Sequence, residues 1–147
     1  MQKITTFLMF DKQAEEAARF YISIFENGKI VSTMPGPGGS VMSVTLELFG
    51  QRYIFMNGGP TFTFSQGMSL FVSCENQAEI DRYWEKLTAG GKEINCGWLS
   101  DKFGVVWQII PKDLPDLLAG GKAVPAMLSM QKLDIAALKK ARDGGER

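Results

Sequence analysis

Residues 4–10 alternate in polarity and are rich in β-formers, which predicts a strand. Asp11 then offers a helix cap, and Ala14, Ala17, Ala18, Tyr21, Ile22 and Phe25 recur at the spacing of one helical face. Asn27-Gly28 ends that helix. Three further strands are predicted over 29–34, 41–49 and 52–57, separated by the loop Pro35-Gly36-Pro37-Gly38-Gly39 and the turn at Gly50-Gln51.

The order then repeats. Residues 68–74 read as a strand, 76–89 as a helix stopped by Gly90-Gly91, and 92–96, 98–100 and 105–110 as three strands. Asn76 and Glu79 have capping-box spacing. The shift that carries Phe7 onto Phe71 also carries Asp11 onto Glu75, Gln13-Ala14-Glu15 onto Gln77-Ala78-Glu79, and Ile30 onto Ile94, and it brings Phe20-Tyr21 near Tyr83-Trp84. One offset relating strand, cap, helix and next strand points to duplication of a βαβββ module. Beyond Pro111 the pattern turns helical through 114–118. A last amphipathic stretch starts at Pro125, a favoured first helical residue, with Asp134 placed to restart it as a cap. The polar stretch 143–147 is expected to fray.

A chain of 147 residues is expected to form one domain, with modules over 1–60 and 65–112 and a helical extension over 113–141. The formal net charge is zero, with Lys and Arg scattered among Asp and Glu, so neither nucleic acid nor an anionic membrane is an expected partner. The chain runs from Met1 and Lys3 into its first strand without a long apolar stretch, and no later run approaches the roughly 20 residues a bilayer needs. Two cysteines, Cys74 and Cys96, do not make a disulfide framework, and a reducing cytoplasm is the expected location. Histidine is absent altogether. Ser-His, Cys-His and His-based zinc chemistry are therefore excluded within one chain.

The blocks Phe10-Asp11, Gln13-Ala14-Glu15-Glu16-Ala17, Phe20-Tyr21, Ile24-Phe25, Asn57-Gly58-Gly59-Pro60, Cys96-Gly97-Trp98-Leu99, Asp101-x-Phe103-Gly104-Val105 and Trp107-Gln108-Ile109-x-Pro111 resemble the PhnB-like family. So does Leu133-Asp134-Ile135-Ala136-Ala137-Leu138 near the end. That family's domain is labelled a 3-demethylubiquinone 3-methyltransferase, and it sits in the vicinal-oxygen-chelate superfamily of glyoxalases, ring-cleaving dioxygenases and bleomycin-resistance proteins. The resemblance implies an α+β fold in which two βαβββ modules form a concave mixed sheet with helices on its convex side. The methyltransferase label does not transfer as chemistry, because no strand here leads into a glycine-rich adenosyl loop.

In the resembled fold each strand sends alternate residues into the cup. Gln108 aligns with the position of a metal-binding glutamate in glyoxalases, so it is taken as cup-facing, with Val106 and Ile110 beside it and Trp107 toward the helices. The same parity argument selects Thr5, Phe7 and Met9, then Tyr53, Phe55 and Asn57, then Ser69, Phe71 and Ser73. The four superfamily ligand positions fall near Thr5, Tyr53, Ser69 and Gln108, none of them an imidazole or carboxylate. Neutral hydroxyls and one amide hold a divalent ion poorly, so neither metal nor other cofactor is expected.

The expected ligand-binding set is thus Thr5, Phe7, Tyr53, Phe55, Asn57, Ser69, Phe71 and Gln108: an aromatic cup with a few orienting polar groups, suited to a planar or apolar small molecule. The competing reading is that the aromatics are simply core. Cys96 lacks a histidine to activate it, and both cysteines read as structural. Asn57-Gly58-Gly59-Pro60 reads first as a turn needing positive φ, and second as a flap. Asp101 and Glu47 are the remaining acids near predicted strands, and either could serve as a general base if buried, with Asp101 read first as a hairpin residue. No catalytic residue can be named. Binding or sequestration of a small molecule is favoured, with a metal-independent lyase, isomerase or transferase as the alternative. A homodimer is expected because open sheet edges need cover, and the stretch from Pro125 carrying Met127, Leu128, Met130, Leu133 and Leu138 is expected to pack on a partner or on the outer wall of the cup.

Overall fold

The computed structural model describes residues 2–144; of the stretch expected to fray, 145–147 lie outside the described residues. The chain divides into two compact units, Met1–Thr63 and Phe64–Arg147. No helix is long and apolar enough to cross a membrane among the described residues.

The first unit contains β1 (Thr6–Phe10), α1 (Ala14–Ile24), β2 (Lys29–Pro35), β3 (Val41–Leu48) and β4 (Gln51–Asn57), in the sheet order β1-β4-β3-β2. β1 runs parallel to β4, and the other pairs are antiparallel. Ala14, Ala17, Ala18, Tyr21 and Ile24 form the buried stripe of α1. The small alanines let the helix approach the sheet closely, while Tyr21 meets the ring of Phe55 edge-on at 5.7 Å. Asp11 does not cap this helix. The N-cap position is Gln13, without a side-chain cap, and the Ala14 NH donates instead to Asn57 Oδ1 at 2.8 Å. A residue from the far end of the unit supplies the cap, so local spacing could not find it.

The second unit repeats the arrangement with β5 (Leu70–Cys74), α2 (Gln77–Thr88), β6 (Lys92–Glu93), β7 (Trp98–Ser100) and β8 (Val106–Pro111), in the order β5-β8-β7-β6. Identical strand order, with a parallel β5–β8 pair in the place of β1–β4, is the outcome the repeat predicts. Here the cap is local: Asn76 Oδ1 accepts from the Glu79 NH at 2.9 Å, and the Glu79 carboxylate accepts from the Glu75 NH at 2.9 Å. β6 is shorter than the stretch 92–96 because Asn95-Cys96-Gly97-Trp98 closes into a turn, with Cys96 and Gly97 both at positive φ and the Trp98 NH on the Asn95 carbonyl.

The second unit continues into α3 (Leu114–Leu117), α4 (Val124–Leu128) and α5 (Ile135–Arg142). Asp134 caps α5 through the Ala137 NH at 3.1 Å. The apolar stretch from Pro125 is therefore two short helices. Leu133 and Leu138 are buried within the unit's own cluster, and Leu128 is exposed.

Candidate functional site

In the second sheet, Leu99, Trp107 and Ile109 are buried on the face that α2 covers. Strict alternation along β8 turns Gln108 the other way. Its cross-strand neighbours on that face are Phe71 on β5 and Trp98 on β7, side chains about 5 Å away in each direction. Phe71 is 62% exposed, and Trp98 is half-buried. Gln108 Nε2 donates to Ser69 Oγ at 2.9 Å, which fixes the amide, and Gln108 Oε1 has no partner among the described residues. An amide oriented by a hydroxyl, with its carbonyl oxygen free and an aromatic ring on each side, can accept one hydrogen bond from a molecule lying against the rings.

Asp101 sets the register that brings these residues together. It is buried, with Oδ1 accepting from the NH groups of Phe103 at 2.9 Å and Val105 at 3.0 Å, and Oδ2 from Trp107 Nε1 at 2.9 Å. A carboxylate that accepts from two NH groups of its own turn is a turn-builder, which agrees with the hairpin reading. It pins the β7–β8 turn and so aligns Trp98 with Gln108.

The first sheet behaves differently from the parity expectation. Phe7 stands opposite Ile54, and Met9 opposite Met56, on the face away from α1; Thr5, just ahead of β1, continues that alternation. Phe7 is 48% exposed there. Tyr53, Phe55 and Asn57 lie on the opposite face, toward α1. Phe55 is wholly buried, packed on Phe10 at 5.0 Å and on Tyr21. Asn57 is spent on the Ala14 NH and, through Nδ2, on the Val41 carbonyl at 3.0 Å. Tyr53 sits beside Phe55 with ring centroids 6.5 Å apart, and its half-burial raises the phenol pKa by desolvation. These three residues are therefore corrected from cup-facing to helix-facing. Both faces of β4 are apolar, so alternation alone did not say which face the helix takes. The internal repeat held the answer: Phe71 pairs with Gln108, and its counterpart Phe7 pairs with Ile54, so Ile54 holds the place of Gln108. The amide has no counterpart in the first unit. Trp98 was missed as a site residue, although its position in the Cys-Gly-Trp block at a strand start was available.

The remaining polar candidates are structural. Glu47 lies 3.3 Å from Arg52 Nε and 3.9 Å from Lys29 Nζ, as a partly exposed ion cluster. Gly59 has φ +93°, which favours glycine, and a Cβ on Gly58 would displace the Met9 side chain. Cys74 is buried, and desolvation first, with Glu79 next, pushes its thiol up to about 12. At neutral pH it stays protonated and inert. Titration of the native protein with a thiol-specific disulfide reagent at mildly alkaline pH should therefore modify the partly exposed Cys96 readily and Cys74 only after unfolding. Fast modification of both in the native state would contradict the burial of Cys74.

The family model described as 3-demethylubiquinone-9 3-methyltransferase matches residues 2–110. The chain belongs to that family. A Bacillus cereus PhnB protein carrying the same description is 39% identical, with a TM-score of 0.71 over 75% of this chain and 99% of that one. Fosfomycin resistance protein FosX from Mesorhizobium loti is similar in fold, with TM-score 0.60 and 15% identity over 81% of this chain and 99% of that one. A FosX variant from Listeria monocytogenes, complexed with Mn(II) and dihydroxypropylphosphonic acid, has TM-score 0.54 and 16% identity over 73% of this chain and 90% of that one. These likenesses establish the glyoxalase and bleomycin-resistance fold, α+β with two mixed four-stranded sheets. No curated protein sequence matches the chain.

A metal is implied by that fold neighbour, and the residues here do not fit one. Among the described residues no group of three or more His, Cys, Asp or Glu is placed to hold an ion. Of the four positions the resemblance implies, Tyr53 faces α1, Thr5 follows the opposite face of that sheet, and Ser69 and Gln108 are bonded to each other.

Proposed function

We propose that the protein binds a small, partly aromatic or apolar molecule on the Gln108-bearing face of its second sheet, without a metal ion and without carrying out a reaction on it. The observation that supports this is the Gln108 amide, held by Ser69 between Phe71 and Trp98, with Oε1 unpartnered among the described residues. A ring lying on Phe71 gains offset stacking and apolar burial, while a hydroxyl on that ring donates to Oε1. Turnover is not part of the proposal, because an amide NH donating to the Ser69 hydroxyl does not activate it. Methyl transfer is left out for a related reason: the turns from β1 into α1 and from β5 into α2 contain no glycine and build no adenosyl loop.

Calorimetric titration with para-butylphenol tests the proposal. Gln108→Leu should weaken binding by a few-fold to about tenfold, the worth of one hydrogen bond to a neutral group, and melt close to the parent. Chelator treatment should leave the affinity unchanged, and elemental analysis should find no stoichiometric Zn, Ni, Fe or Mn. Absence of binding by the parent, or binding indifferent to both Gln108→Leu and Phe71→Ala, would sink the reading; one metal per chain lost together with binding would sink its metal-free half.

The protein is further proposed to act as a homodimer in the cytoplasm. β1 and β2 are the outer strands of one sheet, and β5 and β6 of the other, and unpaired edges invite pairing with a second copy.

A further inference from the structure

The family model stops at residue 110, and the Bacillus cereus relative is matched over 99% of its length by 75% of this chain. The residues past 110 are nonetheless firmly attached. The NH groups of Cys96 and Gly97 donate to the carbonyls of Met130 and Gln131, each at 2.8 Å. The Gln77 side chain accepts from the Ile135 NH at 2.8 Å and donates to the Leu133 carbonyl at 3.0 Å. Leu117, Ala123, Leu133 and Leu138 form a buried cluster whose member from the sheet is Ile110.

Ile110 is two residues beyond Gln108 on β8, so its side chain emerges on the same face, about 7 Å further along. That face is open at Phe71 and closed along β8 on either side of Gln108, at Val106 and at Ile110, each 4% exposed. Gly97 shows what closes it: a Cβ there would lie 3.0 Å from Ile110 Cδ1 and 3.2 Å from Leu133 Cδ1, so Leu133 lies against Ile110 with no room between them and the turn.

We propose that the C-terminal segment is the end wall of the ligand platform, with Leu133 over Ile110 as the stop that sets the length of molecule accepted. The proposal rests on the reading of the Gln108 face as a ligand site. A ring on Phe71 with its hydroxyl on Gln108 can send a tail along β8 only as far as that stop. Ile110 is the last residue but one of β8, so this stop stands at the end of the sheet.

The test is a series of para-alkylphenols of increasing chain length, titrated calorimetrically into the full chain. Affinity for the parent should rise about fourfold per methylene while the tail finds apolar surface, then stop rising at one chain length. In Leu133→Ala the stop should move to longer homologues, and the first homologue past the parent's stop should bind at least about fourfold tighter than it binds the parent. Ile110→Val, a milder change, should move preference in the same direction, and it carries the test if thermal melts show Leu133→Ala to be unfolded. A stop unmoved in a folded variant, or a parent whose affinity climbs through the whole series, overturns the end wall and leaves the platform standing. A parent that binds none of the phenols overturns the platform itself, and the wall with it.

Discussion

Trp107→Ala should lose about 3–5 kcal/mol of unfolding free energy, while Gln108→Leu, one residue along the same strand, should lose less than about 1.5 kcal/mol. The difference follows from the pleat. Trp107 is 3% exposed on the face covered by α2, so its removal opens a cavity among Leu99, Ile109 and the buried stripe of that helix. It also strips the Nε1 donor from Asp101 Oδ2, while the Phe103 and Val105 NH groups remain on Oδ1. Truncating one partner of a buried charged hydrogen bond adds to the cavity cost, which places the expectation toward the upper end of the range. Gln108 is half-buried on the open side and loses one side-chain hydrogen bond. Urea melts of the two variants, followed by far-ultraviolet circular dichroism, compare them directly. A Gln108 variant less stable than the Trp107 variant would mean that β8 is in the opposite register, since a shift of one residue exchanges the two faces.

Phe55→Ala should be as costly, at about 3–5 kcal/mol, whereas Phe7→Ala should stay within about 0.5 kcal/mol of the parent. Phe55 is fully buried, with Phe10 at 5.0 Å, Tyr21 at 5.7 Å in an edge contact at 89° and Tyr53 at 6.5 Å, and these three aromatic pairs vanish with the ring. Phe7, nearly half exposed, stands on the other face of the neighbouring strand. The same melts decide the matter. If Phe55→Ala folded with near-parental stability and Phe7→Ala did not, the facing of the first sheet would have to be reversed, and Tyr53, Phe55 and Asn57 would return to the candidate site.

The two sheets differ in how much of their facing could be read from sequence. β8 carries a polar residue at Gln108 between buried apolar neighbours, so its alternation has a direction. β4 carries Tyr53, Phe55 and Asn57 on one side and Ile54 and Met56 on the other; hydrophobicity is balanced, and alternation has no sign. The aromatic side was taken for the ligand side, but the larger rings are the ones that fill the space under α1, where burial is worth most. Asn57 misled for a related reason. A polar residue ending an apolar strand suggests a ligand contact, yet its oxygen satisfies the first NH of a helix more than forty residues earlier in the chain, a bond of sequence separation 43.

Some of this protein was set by local and periodic information alone. The order of strands and helices, the duplication of the βαβββ module, the caps at Asn76 and Asp134, and the absence of histidine all follow from neighbouring residues and spacing, and they hold in the folded chain. The pairing of Gln108 with Ser69 was within reach of the same parity argument. Three features belong to tertiary structure: which face of β4 meets α1, the placing of Trp98 beside Gln108, and the closure of the sheet face at Ile110 by Leu133. Each depends on contacts between segments far apart in the chain, and a periodicity of two can group residues into faces but cannot say which face another element will cover.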